Sequence, residues 1–220
     1  MKAIILAAGQ SVHLDGYHQL LVRDPKTENT ILDGYIDIFG EKNITVIVGF
    51  RAIEIISKYP NLNYIYNKDW AVTNNSGSLG LIDNAEPGYV LSSDFFISLD
   101  LIDHMEQEGG NIILTAQREA RGSNAVNCSH DNGKVNDIYR GRVKKLDDPE
   151  SLGIFKIKTS ELMSNWIKNC RNNPIGYVAE NIRLDQGDEI KNMDIGTEFF
   201  FEINSVNDYI NFLSERLKRG

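Results

Sequence analysis

The chain predicts an α/β fold: a single doubly wound, mostly parallel sheet with a small β-rich insertion in its second half. Three observations predict it. Lys2 to Leu6 is a short apolar run rich in Ile, the pattern of a strand buried on both faces. Runs of this kind then alternate with stretches of helical spacing as far as Ala116. From Val126 the alternation gives way to paired strands around a turn signal.

After the first strand, Ile31 to Phe39 has apolar residues at helical spacing and packs on the sheet. Asn43 to Gly49 is a second buried strand, Ala52 to Tyr59 a second helix, and Leu62 to Tyr66 a third short strand. Trp70 to Leu81 mixes loop and helix. Gly88 to Asp94 is another central strand, ending in a carboxylate. Leu99 to Gln107 is helical and Asn111 to Ala116 a strand. Val126 to Ser129 and Val135 to Tyr139 flank Asp131-Asn132-Gly133 and form a hairpin. Leu152 to Ile157 is a further strand, and Ser160 to Cys170 an amphipathic helix behind a Ser/Thr cap. Glu198 to Ile203 is a strand. Val206 to Leu217 is a helix whose end carries Arg216, Lys218 and Arg219, the sign its dipole favours.

Length and composition set bounds. The 220 residues, 41% hydrophobic and 25% charged, suit one globular domain with a real core. A net charge of -8 argues against a nucleic-acid backbone as partner, though a local pocket or a metal can still neutralise a nucleotide. No apolar run approaches the roughly 20 residues of a membrane span. No secretory pattern precedes the first strand, and Cys128 and Cys170 fit no metal spacing, so a cytoplasmic protein with free thiols is expected.

The first strand runs into Ala7-Ala8-Gly9, which brings bare backbone to its carboxyl end. In an open α/β sheet ligands bind at that edge, and small side chains let phosphates or a base reach main-chain N–H groups. On those residues alone, a tight turn that needs small side chains for packing is an equal explanation. The longer stretch Leu6 to Leu21 resembles the signature of the nucleotidyltransferases with a GT-A-type, Rossmann-like fold. That family includes phosphocholine and phosphonate cytidylyltransferases and sugar-phosphate nucleotidyltransferases. Leu6 to Gly9, Ser11, Leu14, Leu20 and Leu21 carry the match. His13 stands at the usual Arg, and His18 or Gln19 at the usual Lys.

The resemblance implies a site. Residues 1–120 would hold a nucleoside triphosphate and 121–220 the acceptor. Leu6, Ala7, Ala8, Gly9, Gln10 and Ser11 would line the nucleotide, with Asn75, Ser78 and Ser93. The segment Thr73-Asn74-Asn75-Ser76-Gly77-Ser78-Leu79 is closest to the cytidylyltransferase branch; its amides and hydroxyls suit a pyrimidine edge or the acceptor. Asp94 would hold Mg²⁺, although a strand-end Asp also caps helices. Phe201-Glu202-Ile203-Asn204 resembles the family's second metal run with Asn204 in place of Asp, and Glu202 should point to the opposite face of a regular strand. Asn204 or Ser205 also suits a helix cap. In the acceptor half, Gly153 to Ile157 and Gly176 to Asn181 match. Thr73, Tyr177 and Glu180 would meet the acceptor, Glu180 facing a cationic group, with Trp70, Tyr139 and Tyr177 as cation–π faces. His13 and His18 would supply positive charge to the phosphates, drawn to the imidazolium form by a bound triphosphate, with Arg23 and Lys26 as alternatives.

The implied activity is Mg²⁺-dependent transfer of CMP from CTP to a small phosphorylated or phosphonate acceptor, one that can bear an amine, with release of pyrophosphate. Sugar-1-phosphate uridylyl or thymidylyl transfer is the alternative within the class. The altered cations and Asn204 point instead to a catalytically impaired homologue that binds nucleotide.

Overall fold

The computed structural model describes residues 1–84, 86–118, 121–184 and 189–218. Four strands form its parallel half: β1 (Ala3–Ala7), β2 (Ile44–Val48), β3 (Asn63–Tyr66) and β4 (Gly88–Ser92). Helices α1 (Ile31–Phe39), α2 (Ala52–Lys58) and α3 (Asn75–Leu79) connect them. The second half adds β5 (Phe95–Ile97), α4 (Leu99–Glu108), β6 (Asn111–Ala116), β7 (Val126–Asp131), β8 (Lys134–Arg140), β9 (Glu150–Ile157), α5 (Ser160–Asn172), β10 (Ile190–Asp194), β11 (Phe200–Glu202) and α6 (Val206–Lys218). The main sheet has nine strands in the order β3-β2-β1-β4-β9-β6-β10-β8-β7, and β11 pairs with β5 separately.

The sheet is doubly wound because its strands are apolar on both faces. Ala3, Ile5 and Ala7 enter one core with Leu32 and Tyr35 of α1, Ile55 of α2 and Met105 of α4. Ile4 and Leu6 enter the other with Leu79 of α3 and Met163 and Trp166 of α5. The same two-residue alternation divides Leu91 from Val90 and Ile112 from Ile113. Among the described residues no helix is long and apolar enough to cross a membrane. Cys128 and Cys170 are buried, unpaired thiols.

Local chemistry fixes several boundaries. Thr30 and Asp33 form a reciprocal capping box that starts α1 at Ile31. Asn132 and Gly133 both have positive φ, 48° and 81°, so the β7–β8 hairpin turns on the residue pair that tolerates this.

The expectation of a mostly parallel sheet is corrected. β9 enters antiparallel between β4 and β6, pairing Val90 with Phe155 on one side and Ile113 with Phe155 on the other. β8 runs antiparallel to both β7 and β10, making the sheet mixed. Burial explains the error: a strand apolar on both faces looks the same in either direction, and direction is set by the connections. β5 and β10 were not anticipated. One is three residues long, and the other, Ile-Lys-Asn-Met-Asp, has three polar residues in five and neither an apolar run nor a strict alternation.

The last elements close over the first. The Ile203 N–H donates to the Asp94 carbonyl at 2.8 Å, and the Val206 N–H to the His13 carbonyl at 3.1 Å. Phe212 of α6 stacks on Phe96, with centroids 4.6 Å apart, and the Tyr209 hydroxyl donates to the Arg23 carbonyl at 3.1 Å. Arg216 grips the buried Asp24 at 2.7 Å. Arg219, expected beside it, lies outside the described residues.

Burial alone would raise the Asp24 carboxyl, but hydrogen bonds from Arg216 and the Lys26 N–H hold it below its ordinary 3.8. The stabilisation is therefore full above that value and disappears as pH falls through the depressed one. Asp24→Asn should cost roughly 1–3 kcal/mol in urea unfolding at neutral pH, between the worth of exposed and buried pairs. The difference from wild type should shrink steadily under strong acid; a difference independent of pH would contradict the assignment.

Candidate active site

Strand order reverses at β1, with β2 and β3 on one side and β4 on the other. Connections leaving β1 and β4 therefore diverge and open a crevice at their carboxyl ends, where ligands bind in this architecture. Two adjoining pockets occupy it, of about 180 Å³ and about 510 Å³, and share Asn75, Ser92 and Asp94.

The smaller pocket is polar and nearly uncharged. Leu6, Ala8, Gly9, Asn75, Ser78 and Ser93 line it, as expected. Ala7 is buried with its carbonyl engaged, and Gln10 and Ser11 are outside the lining. Thr73, expected at the acceptor, lines this pocket instead. Asn67, which the sequence did not single out, donates through Nδ2 to Thr73 Oγ1 and Ser78 Oγ at 3.1 and 3.2 Å and fixes both hydroxyls. The cap of α3 is Asn74, whose side chain accepts from the Asn75 N–H. Asn75 Oδ1 accepts from the Val178 N–H at 2.8 Å, joining the two halves of the crevice.

Gly9 discriminates between packing and function. Its φ is not positive, and a Cβ built on it would meet nothing within 4 Å. Neither backbone strain nor packing calls for glycine there; what a side chain would take up is pocket space. Gly49 behaves in the opposite way, since a Cβ there would lie 2.6 Å from the Ala8 carbonyl oxygen and from Trp70 Cβ. Its bareness lets β2 press against the turn.

His18 is not the expected cation. It is 3% exposed, and its Nδ1 accepts from the Leu20 N–H at 3.2 Å, so Nε2–H donates to the Ala7 carbonyl at 3.0 Å. Burial lowers its pKa below 6.5 despite the Ala7 bond. It is a neutral brace between β1 and the following turn. Gln19 faces the crevice: its Nε2 donates to the Ile203 carbonyl at 3.1 Å and to Asn204 Oδ1 at 3.4 Å, and its Oε1 accepts from Ser93 at 3.4 Å. Of the two residues that could stand at the usual Lys, it is Gln19 that faces the crevice. His13 is exposed and lines neither pocket. Arg23 pairs with Glu28 at 3.7 Å, and neither it nor Lys26 lines the crevice. Among the described residues no Lys, Arg or His side chain lines the smaller pocket.

Charge gathers where the pockets meet. Asp94 lies just beyond β4, with Oδ1 shielded and without a hydrogen-bond partner. Burial first, and then the Glu202 carboxylate, push its pKa up to about 8. Glu202 lines the larger pocket with Asp94 and Asn204, contrary to the opposite-face expectation. β11 is a three-residue strand, too short to impose a regular alternation beyond itself. Arg118, two residues past β6, meets Glu202 at 2.7 Å and Glu150 at 3.7 Å. It is the one cation lining either pocket among the described residues, and the sequence reading missed it. The signal was its place after a strand whose end shares the ligand edge. Ser205 and Asp208 cap α6 between them, which leaves the Asn204 side chain to Gln19 and Glu202.

The larger pocket depends on a bulge. Between Ile113↔Phe155 and Thr115↔Ser151, one residue of β6, Leu114, opposes three of β9, Leu152 to Ile154. Gly153 sits there at φ 74°, and a Cβ on it would meet Ser92 Oγ at 2.6 Å. The bulge turns Glu150, Ser151, Leu152 and Gly153 together into the cleft wall. Tyr177 lines this pocket as expected, but Glu180 does not. Glu180 is taken by Arg140 at 3.6 Å and by the Tyr177 N–H at 3.2 Å, so it offers no free carboxylate to a ligand cation.

Comparison with solved structures places this architecture. The CTP:phosphocholine cytidylyltransferase LicC from Streptococcus pneumoniae superposes with a TM-score of 0.72 at 21% identity, over 97% of this chain and 98% of that one. The inositol-1-phosphate CTP transferase from T. maritima gives 0.70 at 18%, over 100% and 96%. A UDP-glucose pyrophosphorylase in complex with UDP-glucose gives 0.73 at 13%, over 100% and 99%. The chain has the nucleotidyltransferase fold. No family model matches the sequence, and no curated protein matches it.

Two outcomes follow from the site. Gly9→Ala should leave the melting temperature unchanged or raise it, by up to about 1 kcal/mol of added stability, while weakening about tenfold the binding of a ligand seated in the smaller pocket. Lost stability with intact binding would return Gly9 to a packing role. By NMR, His18 should keep its Nε2–H tautomer as pH is lowered through 6.5. Titration at or above that value would contradict the brace.

Proposed function

We propose that this chain is a Mg²⁺-dependent nucleotidyltransferase that joins CMP from CTP to a small phosphorylated or phosphonate acceptor and releases pyrophosphate. The observation that carries this reading is the pair of adjoining pockets at the strand-order reversal, with Asp94 on their shared wall. A reaction between two bound substrates needs two compartments that open onto one reacting centre. The cytosine assignment is supported by neutral amides and hydroxyls lining the smaller pocket, and by two superposed structures that are CTP enzymes by name. Asn75 is fixed there by the Val178 N–H, which donates to its Oδ1.

The donor set suits magnesium. Asp94 and Asn204 offer hard oxygen atoms, and the orphaned Asp94 Oδ1 lacks the positive partner that would offset its burial. Among the described residues no three His, Cys, Asp or Glu side chains form a metal cluster, so the remaining ligands would be phosphate oxygens and water. Bound there, Mg²⁺ would neutralise phosphate charge and polarise the reacting phosphoryl group.

The chain's own residues do the rest. The turn Ala8-Gly9 admits phosphates to bare backbone, and Gln19 holds Ser93 and Asn204 in register across the crevice. Arg118 places a guanidinium in the acceptor pocket, suited to the acceptor's phosphate. An ionised acceptor oxygen needs no general base, so in-line positioning and charge neutralisation supply the catalysis. One observation favours a second reading, a homologue that binds nucleotide without turnover: Gln19 is neutral where the resemblance places a Lys.

Pyrophosphate release with each common nucleoside triphosphate against a panel of phospho-acceptors tests the proposal. CTP should give the highest rate and the largest thermal shift with Mg²⁺. Asp94→Ala should reduce kcat by at least a hundredfold with the fold intact, and Asn204→Asp should lower the Mg²⁺ concentration needed. Gln19→Lys should raise kcat severalfold if wild type is active. Turnover appearing only in Gln19→Lys would decide for the binding reading, and equal rates for wild type and Asp94→Ala would remove the metal assignment.

A further inference from the structure

The larger pocket constrains the acceptor beyond its phosphate. Glu150 Oε2 and Ser151 Oγ, adjacent in the bulge that forms the cleft wall, are shielded from solvent and accept no hydrogen bond; Glu150 Oε2 has the Arg118 guanidinium at 3.7 Å, an ion pair beyond hydrogen-bond distance. Asp94 Oδ1 is likewise shielded and accepts none. Three of the buried side-chain atoms without hydrogen-bond partners among the described residues thus belong to residues lining one cleft. Leaving such an atom unpaired costs about 1–3 kcal/mol, and a ligand that brings hydrogens to it recovers part of that.

The aromatic residues of the cleft are committed elsewhere. Arg140, tied to Glu180, lies over the Tyr177 ring at 5.1 Å. Phe95 packs on Phe200 at 4.7 Å and Phe155 on Trp166 at 5.0 Å, and both are 2% exposed or less. The other rings singled out in the sequence are engaged as well: Lys144 lies over Tyr139 at 4.1 Å, and Trp70 packs on Phe50 at 5.5 Å. A quaternary ammonium has no N–H to donate, so it can be held by open aromatic faces or by charge but gives no hydrogen bond to these oxygens. Here the chain's own cations cover Tyr177 and Tyr139, while the orphaned oxygens call for donors.

We infer that Glu150 and Ser151 select the acceptor by its hydrogen-bond donors, so that the acceptor carries hydroxyls or a primary ammonium beside its phosphate, and a trimethylammonium acceptor is disfavoured. This rests on the nucleotidyl-transfer reading and adds the class of acceptor. Hydroxyl and primary ammonium meet these oxygens by the same chemistry, and separate substrates tell them apart.

The test compares glycerol-3-phosphate, phosphoethanolamine and phosphocholine as acceptors with CTP and Mg²⁺. At least one of the first two should exceed phosphocholine tenfold in kcat/KM, and the better of them identifies the donor. Glu150→Gln with Ser151→Ala should raise KM for that acceptor about tenfold, with a smaller rise for phosphocholine, so that the preference between the two narrows severalfold. Phosphocholine as the best substrate, or an equal loss for all three, overturns the inference while leaving nucleotidyl transfer standing. If none is turned over, the wider panel of phospho-acceptors judges the transfer reading, and calorimetric titration of each of these three onto the protein with CTP and Mg²⁺ decides the inference separately. Tenfold tighter binding of a donor-bearing acceptor upholds it; equal or absent binding overturns it.

Discussion

The constraint on which the rest depends is the reversal of strand order at β1. Once β2 lies on one side of that strand and β4 on the other, the connections leaving their carboxyl ends cannot fill the space between them. The chain lines that space with Ala8, Gly9, Ser93 and Asp94. His18 braces the end of β1 by donating to the Ala7 carbonyl, and Gly49 allows the end of β2 to approach within contact of the Ala8 carbonyl. The pairing of β11 with β5, and the bond from the Ile203 N–H to the Asp94 carbonyl, then bring Glu202 and Asn204 to the same place.

The electrostatics follow from that convergence. Asp94, Glu150 and Glu202 line one cleft with a single guanidinium, Arg118, among the described residues. Burial and the neighbouring carboxylate raise Asp94 to about 8, so the free protein is short of positive charge at this point. A nucleotide bound with its metal, and in the acceptor pocket a donor-bearing group, would supply what is missing. The smaller pocket, by contrast, offers a ligand amides and hydroxyls that Asn67 and Val178 hold in place.

Much of the parallel half was legible because its signals are local. Ile31 to Phe39 coincides with α1, since a capping box fixes its start and Gly40 follows its end. Asn111 to Ala116 coincides with β6, and Asn132-Gly133 located the hairpin. The site was legible where it rests on the sequence-adjacent turn, as at Ala8 and Gly9, and at Asp94 just past its strand. It was not legible where side chains from distant segments decide the outcome. Whether His18 or Gln19 faces the crevice depends on the Ala7 and Ile203 carbonyls. Glu180 reads as a ligand carboxylate until Arg140 is seen against it. Arg118 and Glu150 belong to no local motif; the end of β6 and the bulge in β9 bring them to the cleft.

Hydrogen exchange on the free protein and on the protein with CTP and Mg²⁺ tests the central claim most directly, because it maps the nucleotide without requiring turnover. The account predicts protection concentrated at the turn after β1, around Ala8 and Gly9, at Asn74 to Leu79, and at Ser93 and Asp94. Protection centred elsewhere, or no change with any nucleoside triphosphate, would contradict it.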